Sequence, residues 1–274
     1  MVTVGILGGD RRMACLAQMM AEDGYSVRCW GVADTVDNAT LEDAAAAERI
    51  VLPVPLCRSG QLTGTDLELG TLWRILGKGR RVYAGAAGED ERRTARLLGI
   101  HITDYMEDEA LAVRNAVPTA EGAIACAMEH TEVTLFGAPC LVTGFGRIGK
   151  LLALRLVALG ARVSVCARKR ADRAWAEAMG CETLSPEELA GRAGDARVIF
   201  NTVPALLFDG AALRALRPDC LLLELSSRDG FDREAVQAMG LKYIRAAGLP
   251  GKAAPETAAR AIRDALYSIW EAEE

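Results

Sequence analysis

The chain has 274 residues, 51% of them hydrophobic and 25% charged, with a formal net charge of −5 at pH 7. That length suits two domains of moderate size, and the composition is ordinary for a soluble globular protein. The acidic balance argues against a nucleic-acid partner, which calls for a basic surface, and no apolar run approaches the roughly 18 residues needed to cross a bilayer.

The opening "MVTVGILGGD" has no basic n-region, so no secretory leader is expected. Eight cysteines are scattered without a C-x-x-C pair, most of them inside apolar runs such as "APCLVTG" and "PDCLLLEL". They read as small buried hydrophobes of a chain kept in a reducing cytoplasm. Only two histidines occur, and no cluster of metal ligands is expected.

In chain order, "TVGILGG" predicts a strand, "DRRMACLAQMMAEDG" a helix ending at Gly24, and "SVRCWGV" a second strand. "RIVLPVPL" is a third strand, stopped by Pro53 and Pro55. "TDLELGTLWRILGKG" reads as a helix, "RRVYAGAA" as a strand, "EDERRTARLLG" as a helix closing at Gly99, and "IHITDYM" as a last short strand. This first domain is expected over residues 1–117. A connecting helix then follows Pro118, with Thr119 as its cap and an apolar face of alanines, Ile124 and Met128.

A second alternating series starts with "PCLVTG" as a strand and "RIGKLLALRLVALG" as a helix. "ARVSVCA" is a strand and "RADRAWAEAMG" a helix; "RVIFNTV", "CLLLELS" and "KYIRAAG" are further strands. The second domain is expected over residues 118–252. In the tail, Ala258, Ile262, Ala265, Leu266, Ile269 and Trp270 form one helical face. Residues 253–274 are expected to pack back on the first domain. The fold class is therefore α/β: two doubly wound, parallel-sheet, Rossmann-like domains joined by a long helix.

"CLVTGFGRIGK" places Gly144, Gly146 and Gly149 in G-x-G-x-x-G spacing between a strand and a helix. Gly144 permits the tight turn, Gly146 lets backbone approach a pyrophosphate, and Gly149 lets helix pack on strand. The helix opening at Arg147 and Ile148 offers backbone N–H groups and a positive dipole end to phosphates. The next strand, "ARVSVCARKR", ends in Arg168, Lys169 and Arg170, where an NAD site usually places an acid for the ribose hydroxyl. A guanidinium there can bind a 2′-phosphate, so NADP is expected rather than NAD, with Asp172 available to screen the cluster. The other glycine loop, "GILGGDRR", admits two readings. It could bind an anion through the helix start with Arg11 or Arg12, or be a tight turn with solvated arginines.

Taken together, "GILGGDRR", "NAVPTAEGAI", "AMEHTEVTLFG", "CLVTGFGRIGK", "VIFNTVPA", "LLELSSRDG" and "AAGLPGKAAPETAA" resemble the A-subunit family of dipicolinate synthase from spore-forming bacteria. The resemblance covers nearly the whole chain. Three departures are visible: Glu256 where the family often has lysine, Ala259 where it often has glycine, and the Arg228–Asp229–Gly230 stretch.

The resemblance implies NADP-dependent oxidation of the cyclic lysine-pathway precursor to pyridine-2,6-dicarboxylate during sporulation, together with a flavoprotein-like B subunit. A small dicarboxylate substrate would need cations, hydroxyls and helix starts around it. On that basis Asn115, Thr119, Glu121 and Lys252 are catalytic-side candidates. Thr119 could instead be a helix cap and Lys252 a solvent-side turn cap, while Glu121 could be a general base for the ring proton or a first-turn acid favoured by the helix dipole. Thr202, Val203 and Pro204 are expected to line the nicotinamide side. Ser226, with Ser227 and Arg228, ends the fifth strand of that domain, where open α/β sheets bind ligands. His130 ends the connecting helix, where a cation suits the dipole, and His101 lies in a strand. Rival readings are another NAD(P)-dependent oxidoreductase, of the 2-hydroxyacid or shikimate dehydrogenase type, and a nucleotide-binding assembly component. A homo-oligomer is compatible with all three.

Overall fold

The computed structural model describes residues 1–35 and 37–273. The chain divides into two compact units, Met1–Asn115 with Pro250–Glu274, and Ala116–Leu249. The divisions fall two or three residues before those read from the sequence, and Lys252 consequently belongs to the first unit rather than to the glycine-loop unit.

The first unit runs β1 (Thr3–Leu7), α1 (Arg11–Glu22), β2 (Ser26–Trp30), α2 (Leu41–Ala45), β3 (Arg49–Val51), β4 (Cys57–Arg58), β5 (Gln61–Leu62), α3 (Leu69–Leu76), β6 (Arg81–Ala84), α4 (Glu89–Leu97) and β7 (His101–Asp104). Five of these strands form a parallel sheet in the order β2-β1-β3-β6-β7, while β4 and β5 make a small antiparallel hairpin. Helix α3 begins later than its periodicity suggests because residues 62–67 close a turn of their own. Leu62 N donates to Leu67 O at 2.8 Å, and the Thr65 hydroxyl donates to Leu62 O at 3.0 Å.

Helix α5 (Glu109–His130) carries the division between Asn115 and Ala116. It starts ten residues before the expected Thr119 cap. Asp108 supplies the cap, its carboxylate accepting from Leu111 N at 2.6 Å, and Pro118 lies inside the helix. An internal proline forfeits one backbone bond. Buried Ala116, Ala120, Ala123, Ile124 and Ala127 nevertheless keep one apolar face running past it. Thr119 is therefore no cap, and Glu121 is not in a first turn.

The second unit continues with β8 (Pro139–Thr143), α6 (Arg147–Ala158), β9 (Arg162–Cys166), α7 (Arg170–Ala178), β10 (Glu182–Leu184), α8 (Leu189–Arg192), β11 (Val198–Asn201), α9 (Gly210–Arg214), β12 (Leu221–Glu224), α10 (Arg233–Ala238) and β13 (Lys242–Arg245). Its parallel sheet has the order β10-β9-β8-β11-β12-β13. Counted within the unit, that is the dinucleotide-binding order 3-2-1-4-5-6, with the topological switch between β8 and β11. Every residue of β11 and β12 is buried, as strands covered by helices on both faces require. Strand β10 and the short helices α8 to α10 were not apparent from hydrophobic periodicity.

The chain closes with α11 (Leu249–Ala253) and α12 (Pro255–Glu273). Within the first unit, Ala259, Ala261, Ile262, Ala265, Leu266 and Trp270 of α12 share a core with Met13, Leu16 and Met20 of α1. The Arg49 guanidinium sits 4.4 Å from the centroid of the Trp270 ring. Cys29, Cys140, Cys166, Cys181 and Cys220 are buried, Cys15, Cys57 and Cys126 are partly so, and all eight are free thiols. Among the described residues, no helix is long and apolar enough to cross a membrane, and no group of three or more acidic, histidine or cysteine side chains could hold a metal.

Candidate functional site

The site is built around the turn from β8 into α6. Gly144 adopts φ +91°, which side chains other than glycine's rarely tolerate. A Cβ there would lie 2.5 Å from Thr202 Oγ1 and 2.8 Å from Val203 Cγ2, so the β11 end packs directly on the turn. A Cβ at Gly149 would lie 2.2 Å from the Gly144 carbonyl oxygen, which leaves only glycine to bring helix and strand together. A Cβ at Gly146 would meet nothing within 4 Å. The glycine at the helix start thus faces open space and brings no capping side chain to α6. Exposed Arg147 and partly buried Ile148 follow it in the first turn. An open backbone cradle at a helix N-terminus that starts on glycine fits a dinucleotide pyrophosphate.

The strand ends beside the cradle carry polar side chains in register. Thr143 pairs with Asn201, and Asn201 with Glu224, each the last residue of its strand. The Thr143 hydroxyl donates to Asn201 Oδ1 at 2.6 Å, and Asn201 Nδ2 donates to both Glu224 oxygens at 2.9 Å. The Asn201 side chain also holds the following loop, accepting from Val203 N at 3.2 Å and donating to Val203 O at 3.0 Å. Thr202 donates its hydroxyl to Thr143 O at 2.7 Å. The loop expected to line the nicotinamide side is therefore braced by its own polar groups. Thr202 and Val203 stay partly buried and Pro204 exposed, which leaves them as surface for a ligand. Ser226 turns inward, its hydroxyl donating to Glu224 Oε1 at 2.6 Å. Sequence reading missed Asn201 and Glu224, although a lone acid inside "LLLEL" was the available signal.

At the end of β9, Arg168, Lys169 and Arg170 are all exposed. Among the described residues none of the three is paired with a carboxylate, Asp172 included. Arg173, also missed, clasps this corner: its Nη1 donates to Ala167 O at 2.7 Å and to Arg168 O at 3.1 Å. A polar cavity opens at the other end of these strands, lined by Arg162, Glu182, Arg192 and Arg217, with Arg192 paired to Glu182 at 3.3 Å.

The remaining candidates lie on other elements. On α5, Asn115 and Thr119 are one turn apart and share a face, both partly buried. Glu121 points about 200° round the helix from Thr119. It pairs with Arg155 of α6, Nη2 to Oε1 at 3.2 Å. His130 ends α5, its Nδ1 2.9 Å from Cys126 O, and His101 is exposed on β7. Lys252 is exposed on α11.

In the "GILGGDRR" loop neither the anion site nor the solvated turn holds in full. Arg12 is buried rather than solvated, and its guanidinium forks onto Asp10 with two 2.8 Å contacts. Asp10 itself caps α1, accepting from Arg12 N at 3.1 Å, so the helix start already holds an acid. Burial pushes the Asp10 carboxyl up, but the hydrogen bond and charge of Arg12 outweigh it and hold the group below its ordinary value. Exposed Arg11 lies 3.4 Å from Asp34.

Residues 3–106 match the N-terminal domain of the dipicolinate synthase A subunit. Residues 114–249 match the NAD binding domain of D-isomer specific 2-hydroxyacid dehydrogenases. The dipicolinate synthase A subunit of Bacillus subtilis (strain 168) is 36% identical over 169 residues, which are 61% of this chain and 57% of that protein. The matched stretch thus spans little more than half of the curated relative's length. The crystal structure of the dipicolinate synthase A subunit from Bacillus halodurans is similar with a TM-score of 0.85 and 27% identity, over 98% of this chain and 97% of that one. The corresponding crystal structure from Bacillus subtilis is similar with a TM-score of 0.83 and 26% identity, over 100% and 98%. With a nicotinamide-dinucleotide domain of the dehydrogenase kind as its second unit, the chain is similar in both units to the A subunits of dipicolinate synthase.

Proposed function

We propose that the chain is the A subunit of a dipicolinate synthase, an NADP-dependent oxidoreductase that converts dihydrodipicolinate, made from the lysine-pathway precursor, into pyridine-2,6-dicarboxylate. The observation that carries this reading is one chain joining a dipicolinate-synthase-type N-terminal domain to an open glycine cradle. When bound, the nicotinamide supplies the acceptor for two electrons. The gain of aromaticity drives the oxidation, so the protein's task is orientation and charge neutralisation.

Gly144, Gly146 and Gly149, with the N–H groups of Arg147 and Ile148, hold the pyrophosphate. Arg168, with Lys169 and Arg170, takes the 2′-phosphate and selects NADP over NAD; the lack of any paired carboxylate among the described residues supports this. Val203 and Pro204 line the nicotinamide side, braced from behind by Thr202 and Ser226. Asn115 and Thr119 offer polar groups to the substrate from one face of α5, and Lys252 binds a substrate carboxylate. Glu121 is engaged by Arg155, and we assign it to pinning α5 against α6 rather than to proton transfer. A flavoprotein-like B subunit completes the enzyme.

The test is to supply the lysine-pathway precursor and NADP to the purified chain, alone and with the B subunit, and to follow the absorbance of the pyridine product. Product formation that depends on this chain and on NADP is expected. Equal product formation without this chain would overturn the reading.

A further inference from the structure

Glu224 is an acid with 1% of its surface exposed, and neither cofactor holding nor substrate contact has so far used it. Every group that meets its carboxylate is a neutral donor. Asn201 Nδ2 reaches both oxygens at 2.9 Å. Ser226 gives Oε1 its backbone N–H at 2.9 Å and its hydroxyl at 2.6 Å. Gly230 N donates to Oε2 at 2.7 Å. The approach is so close that a Cβ on Gly230 would lie 2.3 Å from Asn201 Nδ2. No cation pairs with Glu224 among the described residues. Each of these contacts brings a hydrogen to a carboxylate oxygen, which is an acceptor. The result is a buried negative charge satisfied by hydrogen bonds but not neutralised, at the carboxyl edge of the sheet, one strand from the switch point. A charge in that setting acts over a longer range than one in water.

We propose that Glu224 positions the nicotinamide loop and biases the site toward the oxidised cofactor. Of the two ends of the Asn201 amide, the carboxylate can accept only from the nitrogen, and so it fixes which way that amide faces. The fixed amide then binds both backbone polar groups of Val203, setting the loop beside the glycine cradle. The uncompensated charge attracts an oxidised nicotinamide, which is cationic, and not a reduced one, which is neutral. An enzyme working in the oxidising direction gains by holding the first and releasing the second. The inference rests on the cofactor assignment proposed above.

The test measures dissociation constants of oxidised and reduced NADP by calorimetry on the intact chain. Glu224→Gln removes the charge and nearly keeps the shape. It is expected to weaken the oxidised form relative to the reduced form by about tenfold, the scale for a unit charge about 10 Å away at an effective dielectric near 20. Glu224→Asp keeps the charge and should leave the ratio within about twofold of wild type, even where both affinities drop. Ser226→Ala removes one hydroxyl dipole that screens the carboxylate and should move the ratio the other way, toward the oxidised form. It keeps the proposal testable should Glu224→Gln fail to fold. An unchanged ratio in Glu224→Gln, an equal shift in Glu224→Asp, or a Ser226→Ala shift that is absent or toward the reduced form overturns the proposal. A wild-type chain that binds neither form overturns the cofactor assignment instead.

Discussion

Arg155 on α6 holds Glu121 on α5 at 3.2 Å, tying the helix that opens from the glycine cradle to the long helix. The pair is partly solvated, with side chains 26% and 58% exposed, and pairs of that kind contribute at most about 1 kcal/mol. Glu121→Gln is therefore expected to lower unfolding stability by less than about 1 kcal/mol and to leave turnover within about twofold of wild type. Denaturant titration and the pyridine-absorbance assay check it. A collapse of turnover with dinucleotide binding intact would restore Glu121 as the base.

Two glycines of one motif should fail in different ways. Gly146→Ala adds a Cβ that meets no protein atom within 4 Å at φ −78°, so stability should stay within about 0.5 kcal/mol. Dinucleotide affinity should still fall at least tenfold, or about 1.4 kcal/mol, because the added methyl stands where the pyrophosphate approaches. Gly149→Ala drives its Cβ to 2.2 Å from backbone and should cost about 1–3 kcal/mol of stability. Thermal melts and binding titrations on both variants separate the two outcomes.

The basic corner should set coenzyme choice. Arg168→Ala is expected to weaken NADP binding about tenfold, in line with the loss of one charge-assisted hydrogen bond, and to leave NAD nearly unchanged. Arg173→Ala removes the clasp on the Ala167 and Arg168 carbonyls and should erode the same preference. The preference should also shrink as salt rises, because the three cations are exposed. Tighter NAD than NADP binding in the wild type would sink this assignment.

Alkaline pH should unfold the protein through its buried thiols. Burial pushes Cys140 and Cys220 up to about 12 from an ordinary 9.0, and Cys166 to about 11. Their folded values lie above their unfolded ones, so their contribution is fully present below pH 9. It is lost as the unfolded chain ionises between about pH 9 and the folded values. Melting temperature is expected to show no loss from these thiols between pH 7 and 9 and to fall steadily above it. At pH 8, alkylation of the folded chain should spare Cys140, Cys166 and Cys220; rapid labelling of any of them would contradict their burial.

The parts of this protein that depend on near neighbours were legible in its residues. Gly144, Gly146 and Gly149 announce their turn because each need is local: a positive φ, an open approach, a close contact. The apolar runs of β8, β11 and β12 announce buried strands for the same reason, and the order of segments announced two doubly wound sheets. Helix α5 was misplaced because proline and threonine favour helix starts only on average. The actual start was decided by Asp108 and by an apolar face that continues past Pro118.

Pairings over long separations were decided by the fold. Thr143, Asn201 and Glu224 are far apart along the chain, and each alone looks like the polar end of an apolar strand. Sheet register sets them side by side, and burial away from water then obliges them to satisfy one another. The same obligation engages the Thr202 hydroxyl with Thr143 O and the Ser226 hydroxyl with Glu224, and makes Arg12 the partner of Asp10 rather than a solvated cation. Sequence by itself determined which backbone could cradle a dinucleotide, since that requires only local conformational freedom. Tertiary structure alone decided which polar side chains face that cradle and which are spent holding it, because hydrogen-bond partners are chosen by proximity in space.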